Sequence, residues 1–338
     1  MTHNPTARLV ATRLLHGLLV LWAAYTLSFL VLYALPGDPV AIMLGGADQI
    51  SASPEQVAAL RAEYGFDKPL PVQYLLALAA ALTGDLGTSY ATGQPVTAAI
   101  LAALPGTLEL AFAALVPAVL GGAALALAAA HARRPFLRNL LAGLPGLGIS
   151  LPTFWVGLVL LQVFSFRLGL VPALGATGIA GLVLPALTLA LPIGATIAQV
   201  LLRALDSAES EQFVTTFRAA GLGRGRILLT HRLRIALVSL VSIGGVLAGN
   251  LLGGAVVVET VFTRNGLGRL AESSVTAQDI PVVQGIVVFS ALVFVLVNLV
   301  TDLLYPVLDP RTRERTRERV RTPERQAGPV ATAEAVPA

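Results

Sequence analysis

Six stretches of this chain stay apolar over the roughly 20 residues that a helix needs to cross a bilayer: 14–35, 107–130, 140–163, 181–202, 235–258 and 284–306. Polar and charged positions are swept into the intervals between them. The pattern predicts an all-α, polytopic membrane protein with six transmembrane helices. Arg8 and Arg13 precede the first stretch, as basic residues precede a secretory leader. The stretch exceeds the roughly 7–15 apolar residues of a leader, and no small-x-small cleavage site follows it, so it reads as a retained helix.

The intervals are unequal. Residues 36–106 form a long, mixed segment that opens on PGDP (36–39), a turn leaving the membrane. Ser53, Pro54 and Gly65 bracket a short helix as cap, first-turn proline and stop. A second helix is expected over about 71–82, ending at Gly84. A subdomain this thin cannot bury a core alone and is expected to rest on the bundle. The tail, 307–338, alternates Arg with Glu and then runs into Pro, Gly and Ala, a composition expected to be disordered.

Charge decides sidedness. With the 1–13 terminus inside, eighteen Lys or Arg residues fall inside: Arg8 and Arg13, Arg133, Arg134 and Arg138, six within 203–234, and seven in the tail. Five fall outside: Arg61, Lys68, Arg167, Arg264 and Arg269. The excess places both termini in the cytoplasm.

Composition then removes function classes. The chain is 55% hydrophobic and 12% charged, against about 45–50% and 25% in soluble domains. Zero cysteines exclude disulfides, iron–sulfur clusters and thiolate zinc sites. His3, His16, His131 and His231 lack the i,i+4 spacing of metal ligands. The net charge of +4 sits near span ends, which reads as topology rather than nucleic-acid affinity. Lys68 is the sole lysine and Pro69 follows it, so the Gly-Lys-Ser/Thr of a phosphate-binding loop is absent. GLGRG (221–225) neither matches GxGxxG nor follows a strand. Work driven by ATP would therefore need another chain to bind it.

No intramembrane-protease constellation is present. Gln162, Gln199, Asn250, Asn298 and Asp302 lie in or near spans and read as helix–helix hydrogen bonds. Gly245, Gly249 and Gly253 form a GxxxGxxxG ladder that fits either packing within the monomer or a subunit contact or pathway wall. Pro117, Pro145, Pro152, Pro185 and Pro192 are expected to kink spans two to four.

The interval 203–234 is the most distinctive, with six arginines between two apolar runs. Phe213 and Phe217 stand four apart on one face of a short helix that Gly221 ends, while Gly223 and Gly225 loosen the turn. Such an aromatic ridge suits a groove on a soluble protein. The same pattern suits a helix lying on lipid.

These residues resemble the membrane subunits, or permeases, of ABC importers for dipeptides, oligopeptides and nickel complexes. The resemblance runs from about residue 9 to 311 through LRAEYGFDKPLPVQYL (60–75), GDLGTSY (84–90), PGTLELA (105–111), LPTFWVGLVLL (151–161), LGLVPALG (168–175), LPALTLALP (184–192), GGAVVVETVFTRNGLGRL (253–270) and QDIPVVQG (278–285). It implies a type I importer permease fold and an ATPase-docking "EAA" loop whose matching positions are Arg218, Ala219, Gly221 and Leu222, with His231 and Leu233 downstream. Phe217 stands where that family usually has a small Ala, Ala220 where it has Lys, and Ser239 near a usual Pro. The resemblance further implies a second homologous permease, two ATP-binding cassette ATPases carrying ATP and Mg, an extracytoplasmic solute-binding protein, and no cofactor in this chain. Alternating access is the implied mechanism. Short peptides are the expected cargo, with nickel or another small solute as the alternative and a self-sufficient carrier as the remote one.

Overall fold

A computed structural model of the chain describes residues 5–34, 40, 54–172 and 178–308. These residues are helical almost throughout, and their single β-bridge joins Thr88 to Pro95. In chain order the helices are α1 (Pro5–Ala34), α2 (Pro54–Glu63), α3 (Leu70–Leu82), α4 (Val96–His131), α5 (Pro135–Ser150), α6 (Thr153–Leu160, continued as a π-helix over Leu161–Arg167), α7 (Ala180–Glu209), α8 (Gln212–Ala219), α9 (Arg224–Ile227, continued as a π-helix over Leu228–Arg232), α10 (Leu233–Ser242), α11 (Gly244–Val261), α12 (Leu267–Thr276) and α13 (Ile280–Leu308). The turn expected at 36–39, the cap at Ser53 and the tail from 309 lie outside the described residues.

Among the described residues, five helices are long and apolar enough to cross a membrane: α1, α4, α7, α11 and α13. The bent pair α5–α6 makes a sixth span if it counts as one. The bend falls at Pro152, one of the prolines expected to kink the spans, and divides the helix expected over 140–163 in two. The two halves meet at 99°, because Pro152 denies the preceding Leu151 the helical region and holds it extended at φ −77°, ψ 127°. Apolarity runs on through the break, so hydropathy alone hides it.

Other boundaries also move. The helix expected over 107–130 begins at Val96, shortening the segment after α1. The helix expected to stop near 202 continues to Glu209 and takes the start of the 203–234 interval with it. The helix expected over 235–258 breaks at Ile243 into α10 and α11. Gly244 and Gly245 lie at that break, where α13 closes in. A Cβ on Gly245 would sit 2.2 Å from Asn298 Oδ1, and one on Gly244 2.7 Å from Thr301 Oγ1.

The core is the crossing of α4 and α7. Ala114, Ala118, Gly122 and Ala126 recur every fourth residue on the buried face of α4. Removing bulk there lets backbones touch. A Cβ on Gly122 would stand 2.5 Å from the Gly194 carbonyl oxygen, and one on Gly194 3.0 Å from that of Ala118. Leu110, Leu189, Ile193, Ile197 and Val258 fill the space above and below this contact. Neighbouring glycines therefore predict opposite results. Gly122→Ala should lower stability by about 1–3 kcal/mol, whereas Gly121→Ala, with nothing within 4 Å of its Cβ, should not. Thermal unfolding of the two purified variants in one detergent checks the ranking, and equal melting would refute it.

Prolines inside α7 free backbone acceptors, and the fold reuses one of them. Pro185 has no N–H for the Gly181 carbonyl one turn earlier. Arg264 Nη1 donates to that oxygen at 3.1 Å while its Nη2 reaches Glu109 at 3.0 Å.

Candidate functional site

The basic interval folds into an elbow held from the membrane side. The last turn of α7 carries Asp206 and Glu209, two carboxylates that collect arginines from three other elements. Arg138 from α5 pairs with Asp206 at 2.9 Å. Arg218 from α8 pairs with Glu209, and Arg232 reaches the same carboxylate at 2.6 Å. Arg232 is buried, 6% exposed. Its Nη2 and Nε donate to the Leu205 carbonyl at 2.8 and 3.3 Å, which closes the π-turn onto the end of α7. Burial lowers the guanidinium pKa from its ordinary value, and Glu209 and Asp206 oppose that shift. A buried Arg with two acceptor partners is a pivot rather than a surface charge.

Helix α8 lies across this pivot. Val214 is buried beneath it. The Phe213 and Phe217 rings meet edge to face at 5.9 Å, and the Phe217 ring lies 4.2 Å from that of His231. His231 Nδ1 in turn sits 2.6 Å from Thr230 Oγ1. The aromatic ridge is therefore half-buried against the chain's own π-turn, which corrects the picture of a free ridge offered to a partner. The exposed surface is instead the tip formed by Thr215, Thr216, Arg218, Ala219, Ala220, Gly221, Gly223 and Arg224.

Gly221 makes that tip. It sits at φ +81°, a region that glycine enters without the Cβ penalty. Its N–H donates to the Arg218 carbonyl at 3.0 Å, and the Leu222 N–H donates to that of Phe217 at 3.0 Å. This pair of bonds is a Schellman closure. Leu222 is half-buried on the far side of the turn. The structure thus joins Phe213, Phe217, Arg218, Ala219, Gly221, Leu222 and His231 in one unit. Glu209 and Arg232 hold the unit in place; Glu209 escaped the sequence reading, and Arg232 was counted there only as one of six basic residues. Two carboxylates within four residues, just before a basic helix, were the available signal.

The glycine ladder divides. Gly245 packs on Asn298, whereas a Cβ on Gly249 or Gly253 would meet nothing within 4 Å. Gly122 and Gly194 make a close backbone contact of their own at the α4–α7 crossing. Asp302 ion-pairs with Arg13 at 3.0 Å.

The opposite end of the bundle has two buried carboxyl hubs that sequence reasoning also missed. Glu259, fully buried at the end of α11, accepts Thr107 Oγ1 at 2.6 Å and the Gly268 and Arg269 N–H groups at 2.8 and 3.2 Å. Thr107 Oγ1 accepts the Leu267 N–H at 2.8 Å. The carboxyl group therefore caps the first turn of α12, where unpaired amides and the helix dipole favour it. Asp279 accepts the Ser89 hydroxyl and the Tyr90 N–H, the latter at 3.0 Å. The Tyr90 phenol is pushed up from its ordinary pKa, first by burial and then by Tyr33 and Asp279, so it stays protonated. Four separated sequence blocks, 84–90, 105–111, 253–270 and 278–285, meet in these two hubs.

Residues 119–314 match the family described as "Binding-protein-dependent transport system inner membrane component". Residues 6–111 match its N-terminal companion, "Binding-prot-dependent transport system membrane comp, N-term". The chain belongs to this family of permeases. A protein named glutathione transport system permease protein GsiC, from Salmonella paratyphi A, is 37% identical over 293 residues, 87% of this chain and 94% of its own length. Its namesake in Escherichia coli K12 is 36% identical over the same coverage. A crystal structure of an amino acid ABC transporter with histidines superposes with a TM-score of 0.50 at 18% identity, over 62% of this chain and 94% of that one, and so shares the fold. The permease is accordingly a non-catalytic inner-membrane subunit of a binding-protein-dependent ABC importer and works with other transporter subunits.

Proposed function

We propose that the permease admits short peptides or peptide-like solutes, and that it is driven through the elbow at 203–234 by ATP hydrolysed on two partner ATPases. The observation that carries this reading is the exposed tip around Gly221 seated on the Glu209–Arg232 pivot. A tip built on ion pairs into the end of α7 passes a push from a soluble protein to the helix at the centre of the bundle. The chain's single lysine leaves nucleotide binding to those partners, which bring ATP and Mg. The eighteen-to-five split of basic residues puts the elbow and both termini in the cytoplasm. The cargo class follows the name of the glutathione permeases that this chain resembles.

A second homologous permease completes the pathway. The side-chain-free face at Gly249 and Gly253 is where its helices or the passing solute come close. An extracytoplasmic solute-binding protein delivers the peptide, and the bilayer surrounds the outer helices. Closure of the ATPases turns the cavity outward, and hydrolysis resets it. Proteoliposomes test this. The chain alone should neither hydrolyse ATP nor accumulate radiolabelled peptide, and the four-subunit assembly with its binding protein should do both. Accumulation by the isolated chain would end the proposal.

A further inference from the structure

At the end of the bundle away from the elbow, five segments enclose a cleft of about 310 Å³. Its walls are Tyr25 and Tyr33 of α1, the turn after α2, one face of α3, the loop 85–90 and the first turns of α13. A cleft of this size is at the small end of ligand sites, which are about 300–1,000 Å³, mostly apolar, and carry a few convergent polar groups. That description fits the lining. Four tyrosines line it among aliphatic side chains, with Tyr64 edge-on to Tyr90 at 6.1 Å. The polar groups are few and of opposed kinds: Lys68, the only lysine in the chain, Asp85, and the amides of Gln73 and Gln284.

Three details point to an occupant. Gln284 Nε2 is buried beside the Tyr25 phenol, which can take one of its two N–H donors and leaves the other open. A buried amide donor left open is destabilising unless something accepts from it. Lys68 is exposed at the cleft and forms no ion pair among the described residues, so its ammonium can meet an anion there. Asp85 spends Oδ1 on the Gly87 N–H at 2.9 Å and keeps further acceptor capacity. One ammonium, one carboxylate, an amide and a ring of phenols match a small zwitterion with a peptide group between its ends.

We infer that this cleft is a low-affinity receiving site for a short peptide, with Lys68 taking its carboxylate, Asp85 its ammonium and Gln284 a backbone carbonyl. The inference rests on the peptide reading above and adds a place where cargo pauses on the permease itself. The cleft reads the two charged termini, which every short peptide shares, so it accepts varied side chains.

Calorimetric titration of the permease–ATPase assembly without its binding protein tests the site, with trialanine, its C-terminal amide and its N-acetyl form as probes. The amide and the acetyl form should each bind about tenfold more weakly than trialanine, the loss of one charged contact. Lys68→Ala should abolish discrimination against the amide and leave that against the acetyl form. Asp85→Asn should do the reverse, and Lys68→Arg should restore the first. Gln284→Leu should weaken all three probes alike. Equal binding of acid and amide, discrimination that survives Lys68→Ala, or displacement of trialanine by lysophosphatidylethanolamine would each overturn the site, the last by making it a lipid pocket. Uptake of labelled trialanine by the complete system separates the two readings. No uptake at all defeats the peptide cargo, whereas uptake with unaltered binding in the variants defeats the cleft alone.

Discussion

Glu259→Ala is expected to be the most damaging single change outside the elbow. The carboxyl group accepts the Thr107 hydroxyl and the Gly268 amide, both buried, and the part-buried Arg269 amide of the first turn of α12. Truncation orphans these donors at about 1–3 kcal/mol apiece and leaves a cavity, so a loss of about 3 kcal/mol or more is expected. Glycines have been chosen around the group for its sake. A Cβ on Gly266 would lie within 2.3 Å of the carboxylate, and one on Gly268 within 2.3 Å of the Val256 Cα. Glu259→Gln keeps one acceptor for the helix amides, and its Nε2 can donate to the Thr107 oxygen, so it should fall between wild type and Ala. Melting temperature and monodispersity of the purified chains measure the order Glu, Gln, Ala. An Ala variant as stable as the Gln variant would show that the hub does not hold α12.

The second large effect is functional. Gly221→Val should reduce peptide uptake by the assembled transporter more than tenfold while membrane abundance stays near wild type. No atom lies within 4 Å of the Cβ position, so the residue is not excluded by space. The cost is all in the backbone. At φ +81° a β-branched side chain is a conformational outlier, and left-handed geometry costs about 1–2 kcal/mol even for an ordinary residue. The closure of Gly221 on Arg218 and Leu222 on Phe217 would open, and the tip would leave the Arg232 pivot. Gly221→Asn, which tolerates that geometry, should keep most of the uptake. Uptake per inserted molecule is the measurement, and undiminished transport by the Val variant would remove the tip from coupling.

Much of this architecture is legible in the chain as written. Runs of about 20 apolar residues forecast spans because a bilayer leaves unpaired backbone groups no partner. The elbow was equally visible, since six arginines and a stop glycine fill the interval between two apolar runs. Details went astray where a local signal competes with a contact distant in sequence. Phe213 and Phe217 look like a free ridge by spacing, yet His231, fourteen residues beyond Phe217, covers the second ring. The ladder from Gly245 to Gly253 looks like a packing seam, yet the tight crossing is at Gly122 and Gly194, where alanines share the work and glycine alone does not mark it.

Sequence by itself determined the class, the apolar spans and the position of the basic elbow, because these follow from transfer free energies and local backbone preference, summed along neighbouring residues. Only the tertiary structure decided which charges are buried and what they hold. Glu259 lies 152 positions from Thr107, and Asp279 lies 190 from Ser89. Pairings of that separation depend on how the helices cross, and the crossing is set by side-chain volume at the α4–α7 contact rather than by any pattern within one segment.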